Sequence, residues 1–155
     1  KPWSPAGSAG LGGDNTTAPR APYGDVVFRY EIPVRYAECD SQGVVFNAHY
    51  LAYCDHAMDE LLRAAVGDDS DFELMVKAAN LTWHSALSYR DVAVLECAVT
   101  RWGTTSMDVT FTGSVGTEPR FDAVLTYVAV TRGEANTAPR VIPDEVRAGF
   151  DRAQG

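Results

Sequence analysis

Between residues 47 and 66 the apolar positions recur at helical spacing. Tyr50, Leu51, Cys54, Met58, Leu61, Leu62 and Ala65 form one stripe, and Asp55, Asp59, Glu60 and Arg63 fall between them. This predicts one amphipathic helix from Asn47 to about Val66, with Asn47 as its N-cap and Gly67 as its stop. Farther along the chain the period changes to two. Met107, Val109, Phe111 and Val115 alternate with Asp108, Thr110, Thr112 and Ser114, the mark of a half-buried strand over 105–115. Other strands are predicted near 73–85, 92–102 and 121–132. Arg101-Trp102-Gly103-Thr104 and Gly116-Thr117-Glu118-Pro119 supply turns between them. A first strand, 25–36, precedes the helix, and Pro33 within it marks an edge or a bulge because proline cannot donate to a ladder. A short closing helix is predicted around 144–152, after Pro143.

The order is strand, long helix, then four antiparallel strands, which is an α+β class. One helix against one sheet leaves much of its apolar girth uncovered, so an antiparallel sheet of about five strands must wrap round it. The wrap leaves strand edges bare, and a homodimer, or a tetramer built from two dimers, joins them. Residues 1–22 are rich in Gly, Ala and Pro with no apolar period and read as a flexible extension, with the folded domain over 23–155.

Composition narrows the function classes. Hydrophobic residues make up 46% and charged residues 22%, ordinary for a soluble globular domain. No apolar run approaches the ~20 residues that span a bilayer. The N-terminal residues carry one Lys followed by Pro, Gly and Ser, which does not read as a signal peptide. With Cys39, Cys54 and Cys97 at spacings that fit neither a zinc site nor a disulfide frame, the expectation is a cytoplasmic protein with reduced thiols. A net charge of −8 argues against a general nucleic-acid surface. His49 and His56 lie two helical turns apart, not the one turn of a ligand pair, and neither they nor His84 have a third ligand in view; no metal and no cofactor are predicted. No G-x-S-x-G elbow is present.

The segment AECDSQG carries the remaining chemistry. Asp40-Ser41-Gln42-Gly43 is a turn sequence with Gly where a positive φ is required. It follows a strand and leads through Val44, Val45 and Phe46 into Asn47 and Tyr50 of the helix. The stretch VRYAECDSQGVVFNAHYLAYCDHAMDELLR, residues 34–63, resembles the signature of the 4-hydroxybenzoyl-CoA thioesterase-like branch of the hotdog-fold superfamily. The strand order extends that resemblance over residues 25–135.

What the resemblance implies is acyl-CoA thioester hydrolysis. Such a reaction needs a base or nucleophile beside the carbonyl carbon, and donors where negative charge develops on oxygen. The resemblance assigns Asp40 as that carboxylate, as nucleophile or as general base. It assigns the backbone N–H of Asn47, at the positive end of the helix, as the oxyanion donor, a contact typically worth about 3 kcal/mol of barrier. Gly43 lets the backbone pass close to the substrate. Many bacterial relatives carry His where this chain has Asn47; here His49 stands two residues on and is a candidate for a proton role. Phe46 and Tyr50 are candidate substrate contacts, although Tyr50 suits core packing better. Trp83, Met75 and Trp102 join Phe46 as candidate pocket residues. Arg90, Arg101 and Arg132 are candidates for holding CoA, and Thr104 and Thr105 for reaching a neighbouring subunit's site.

Three alternatives stay open. An acyl-carrier-protein thioesterase is disfavoured mildly by the acidity of both partners. A hotdog dehydratase or hydratase needs a His and a carboxylate placed at the β-carbon, and only His49 offers one. A non-catalytic acyl-thioester binding protein would have no use for Asp40.

Overall fold

A computed structural model describes residues 27–131 and 138–155. The helical stripe forms α1 over Asn47–Val66, and Gly67 ends it in a left-handed conformation, its N–H donating to the Arg63 carbonyl. The start differs from expectation in one respect. Phe46, in extended conformation and with no side-chain cap, is the N-cap, and Asn47 is the first helical residue. The chain enters the helix directly from the paired segment around Val45, which leaves Asn47 no room to act as the extended cap.

The strands are β1 (Phe28–Pro33), β2 (Phe72–Trp83), β3 (Val92–Trp102), β4 (Ser106–Val115) and β5 (Glu118–Thr131), and α2 (Asp144–Gln154) closes the chain. They form one antiparallel sheet in the order β1-β3-β4-β5-β2. β1 is shorter than predicted: it stops at Pro33, and Tyr36–Glu38 makes a single 3-10 turn. That fits an edge strand that loses its donor at proline. β5 begins earlier than predicted because the turn after β4 needs only Gly116 and Thr117, with Gly116 at φ +58°.

Alternation along β4 and β5 sends Met107, Val109, Phe111, Phe121, Ala123, Leu125 and Tyr127 onto the concave face, all buried. α1 fills the concavity with Tyr50, Tyr53, Cys54, Ala57, Met58 and Leu61. Burial of each large apolar side chain contributes roughly 1.5–3 kcal/mol, so this contact is the main source of stability. Gly113 on β4 has a specific purpose. A Cβ there would run into the Phe121 ring, and its absence lets that ring lie flat on the strand and meet Tyr50 edge-on at 5.1 Å. α2 then packs on α1, where Gly149 sits against the carbonyl of Ala65. Its Gln154 side chain accepts the Val99 N–H at 2.7 Å, beside the irregularity in β3 between Val99 and Arg101. No helix among the described residues is long and apolar enough to cross a membrane.

Candidate active site

The turn after the 3-10 segment is closed by two backbone bonds. Asp40 N–H donates to the Val44 carbonyl at 2.8 Å, and Gly43 N–H donates to the Asp40 carbonyl at 3.0 Å. Gly43 adopts φ +79°, which a side chain would resist, although a Cβ there would meet nothing within 4 Å. The Asp40 carboxylate accepts the Gln42 N–H on Oδ1 at 2.8 Å, so the aspartate caps its own turn. No other hydrogen bond or ion pair engages that carboxylate among the described residues, and the residue is exposed.

Two neighbours hold this turn against the helix start. From below, Val45 donates its N–H to the Leu87 carbonyl at 2.8 Å, while Leu87 donates its own N–H to the Tyr50 hydroxyl at 2.9 Å. The loop 84–91 is thus a spacer clamped between the Asp40 turn and the helix. Arg120 clamps it further through Ser85 Oγ at 3.2 Å and the Ala86 carbonyl at 3.0 Å. From the side, Glu38 accepts the Tyr53 hydroxyl and the Arg35 N–H on its Oε2, at 2.6 and 2.8 Å, and its carbonyl takes the Phe46 N–H at 3.0 Å. Burial, with the Glu38 carboxylate beside it, pushes the Tyr53 phenol well above its ordinary range and keeps it a neutral donor.

With Phe46 uncapped, the N–H groups of Asn47 and Ala48 have no acceptor among the described residues; that of His49 donates to the Phe46 carbonyl at 2.9 Å. Free donors and the positive helix end therefore lie directly after the Asp40 turn. This arrangement can receive an anionic oxygen next to a carboxylate.

The predicted residues separate into two groups. Asp40, Gly43, Phe46, Asn47, His49 and Tyr50 gather at one end of the sheet, where Trp83, Phe121 and Gly113 stand in register. Phe46 is exposed, and the His49 ring meets it edge-on at 6.5 Å. Tyr50 is fully buried with its hydroxyl taken up by Leu87, which makes it a support of the site and not a surface of it. Trp83 meets Tyr50 edge-on at 5.9 Å and remains 46% exposed, so it belongs to this end. Arg90 is here too, between Ser88, which bridges Val44, and Asp91, whose carbonyl takes the Val34 N–H.

The second group is remote. Arg101, Thr104 and Thr105 lie at the opposite end, around the β3–β4 turn. Arg101 is engaged by Asp108 through Nε at 2.6 Å and Nη2 at 3.1 Å. The carbonyls of Thr104 and Thr105 hold the N–H groups of Ile142 and Ala129. Trp102 packs on Phe150 of α2, away from Asp40, and Met75 lies exposed on the edge strand β2. Arg132 and the extension 1–22 lie outside the described residues. Among the described residues no cluster of three His, Cys, Asp or Glu side chains is placed to hold a metal ion. Glu38 and Tyr53, the side brace of the turn, escaped sequence reasoning. A partnership 15 residues apart has no local periodic signal.

Residues 42–118 match the thioesterase superfamily. No curated protein matches the chain. A solved 1,4-dihydroxy-2-naphthoyl-CoA thioesterase from Synechocystis is similar at a TM-score of 0.66 and 20% identity, covering 80% of this chain and 95% of its own. A variant of 4-hydroxybenzoyl-CoA thioesterase, complexed with 4-hydroxybenzoyl-CoA, gives a TM-score of 0.73 at 14% identity, covering 81% and 99%. The dynemicin thioesterase gives 0.69 at 19% identity, covering 82% and 96%. At these identities the likeness establishes the fold. The five-stranded antiparallel sheet and the central helix make the hotdog fold, and the stretch 42–118 that resembles the thioesterase superfamily lies within it.

Proposed function

We propose that this chain hydrolyses an acyl-CoA thioester to the free acid and CoA. The observation that carries the reading is a carboxylate with one uncommitted oxygen, Asp40, on the turn that leads directly into an unsatisfied helix N-terminus at Asn47. The thioester carbonyl oxygen lies on the Asn47 N–H, which stabilises the negative charge that develops on it. Asp40 then acts in one of two ways. As nucleophile it attacks the carbonyl carbon and the C–S bond breaks, releasing CoA and leaving a mixed anhydride that water hydrolyses. As general base it takes a proton from water, whose oxygen makes the attack. Gly43 keeps side-chain bulk away from the approaching thioester.

The family match over residues 42–118 supports thioester chemistry, and two of the similar structures are named for CoA thioesters. Arg90 is the candidate CoA contact on the same copy. Thr104 and Thr105 enter the site only from a neighbouring copy, in the dimer formed when the bare edge of β2 pairs with itself. Arg101 is a poorer candidate, since Asp108 already neutralises it.

A panel of short-chain, long-chain and aromatic acyl-CoAs, with free thiol as readout, tests the reading. Thiol release well above the uncatalysed rate for at least one of them is expected. Uniform absence of release, from folded protein, refutes it. Comparing the same acyl group on CoA and on a carrier protein then separates the two thioester classes.

A further inference from the structure

Beside the Asp40 turn lies a surface cluster that the proposed chemistry does not use. Tyr36, four residues before Asp40, is 78% exposed, and Tyr89, just after Ser88 of the clamped loop, is 45% exposed. Their rings meet edge-on at 5.6 Å. Arg90 lies over the Tyr89 ring at 5.2 Å, and it does so from a left-handed backbone, φ +73°, the only non-glycine residue so placed among the described residues. That backbone conformation is uncommon for a residue with a side chain.

Several arginines here are already committed to carboxylates. Arg63 is held by Asp68, Arg101 by Asp108 and Arg140 by Asp71. Arg90 has no ion-pair partner among the described residues. The nearest carboxylate in sequence, Asp91, is occupied by the Ser88 N–H. In a chain of net charge −8, Arg90 puts an unpaired positive charge on an exposed ring pair beside the Asp40 turn.

We infer that Tyr36, Tyr89 and Arg90 form a docking platform for the adenosine-phosphate end of coenzyme A. The inference rests on the thioesterase reading above and adds what chooses CoA over other thioester carriers. An adenine base stacks on an open aromatic face, and a guanidinium pairs with a phosphate. The bridge between Val44 and Ser88 ties the platform's loop to the Asp40 turn, the two ends that a pantetheine arm has to join. A carrier protein presents the same arm with no adenine at its end, and the platform gives it nothing to hold.

The test titrates the whole chain with coenzyme A and with pantetheine by calorimetry, in wild type and in Tyr36→Ala, Tyr89→Ala and Arg90→Gly. Glycine accepts φ +73°, so the last variant removes the guanidinium without cost to the fold. Tyr36→Phe keeps the ring and serves as rescue. The expected result is CoA affinity about tenfold weaker in each truncation, restored in Tyr36→Phe, with pantetheine bound alike by all. In turnover the loss falls on KM for an acyl-CoA and not on kcat. Wild-type affinity for CoA in all three truncations overturns the platform, as does a wild type that binds CoA no better than pantetheine. A drop in sedimentation mass in the variants also overturns it, by showing that a second copy covers the patch. The two readings fail separately. Binding with the expected sensitivities but no hydrolysis by wild type sinks the thioesterase reading alone, and hydrolysis with insensitive binding sinks the platform alone.

Discussion

Tyr53 on the helix donates its hydroxyl to the Glu38 carboxylate at 2.6 Å, which ties α1 to the segment that delivers Asp40. Glu38 is half-buried and accepts the Arg35 N–H on the same oxygen, so it is the pivot of the turn. Tyr53→Phe removes the donor and leaves the carboxylate without its strongest partner. The expected cost is about 1.5–3 kcal/mol in stability by urea denaturation, as for a hydrogen bond to a charged group. A kcat loss of severalfold accompanies it, because the Asp40 turn loses its register with the helix start. Unchanged stability and turnover would remove Glu38 from the account.

Stability falls on the alkaline side. Burial raises the Cys54 and Cys97 thiols above their ordinary 9.0, Cys97 to about 12, and raises the Tyr50, Tyr53 and Tyr127 phenols above 10.0. Folded, these groups keep their protons; unfolded, they release them near their ordinary values. Above about pH 9 the unfolded state therefore binds fewer protons, and stability declines toward pH 12. Each group contributes a slope of about 1.4 kcal/mol per pH unit within its window. Urea midpoints at about pH 8, 9.5 and 10.5 should drop in that order. Equal midpoints would contradict the burial of these groups.

Gly149 offers a test of architecture separate from chemistry. A methyl group there runs into the carbonyl oxygen of Ala65, which is backbone and cannot swing aside. Gly149→Ala should cost about 1–3 kcal/mol, through displacement of α2 from α1. Thermal or urea denaturation checks it. A variant as stable as wild type would mean the two helices do not approach so closely.

The edge strand β2 predicts self-association. Its Met75, Val76 and Trp83 side chains are 60%, 40% and 46% exposed, and its outer backbone edge has no partner strand among the described residues. Such an edge is a template for pairing. Light scattering at micromolar concentration should report a dimer or a dimer of dimers. A stable monomer would contradict this and, with it, any contribution of Thr104 and Thr105 to a neighbouring site.

The parts of the fold legible in sequence were those written in local periodicity. The bounds of α1, β3 and α2 followed the pattern closely, because each buries one face and its neighbours repeat it. The Asp40 turn was legible for a different reason: Asp, Ser, Gln and Gly carry their own turn chemistry, and Gly43 adopts the positive φ expected of it. The buried set of α1 was only partly foreseen. Tyr53 and Ala57 are buried although they lie off the predicted stripe, since the curled sheet and α2 cover more of the helix than a flat sheet would; Leu51 on the stripe stays 37% exposed. Arg101 looked free in sequence, and its partner Asp108 emerges only from the β3–β4 register. Phe46 took the cap from Asn47 because backbone pairing before the helix outweighed side-chain capping preference.

The most direct test of the central claim is the turnover of Asp40→Asn on an acyl-CoA that the wild type hydrolyses. Asparagine keeps an oxygen to accept the Gln42 N–H, so the turn survives and the urea midpoint stays near wild type. Only the charge and basicity of the second oxygen are lost. The expected kcat is lower by ~100-fold or more, the scale of a lost acid–base or nucleophilic group. Turnover within a few-fold of wild type, in a folded variant, would reduce Asp40 to a turn cap and contradict the mechanism.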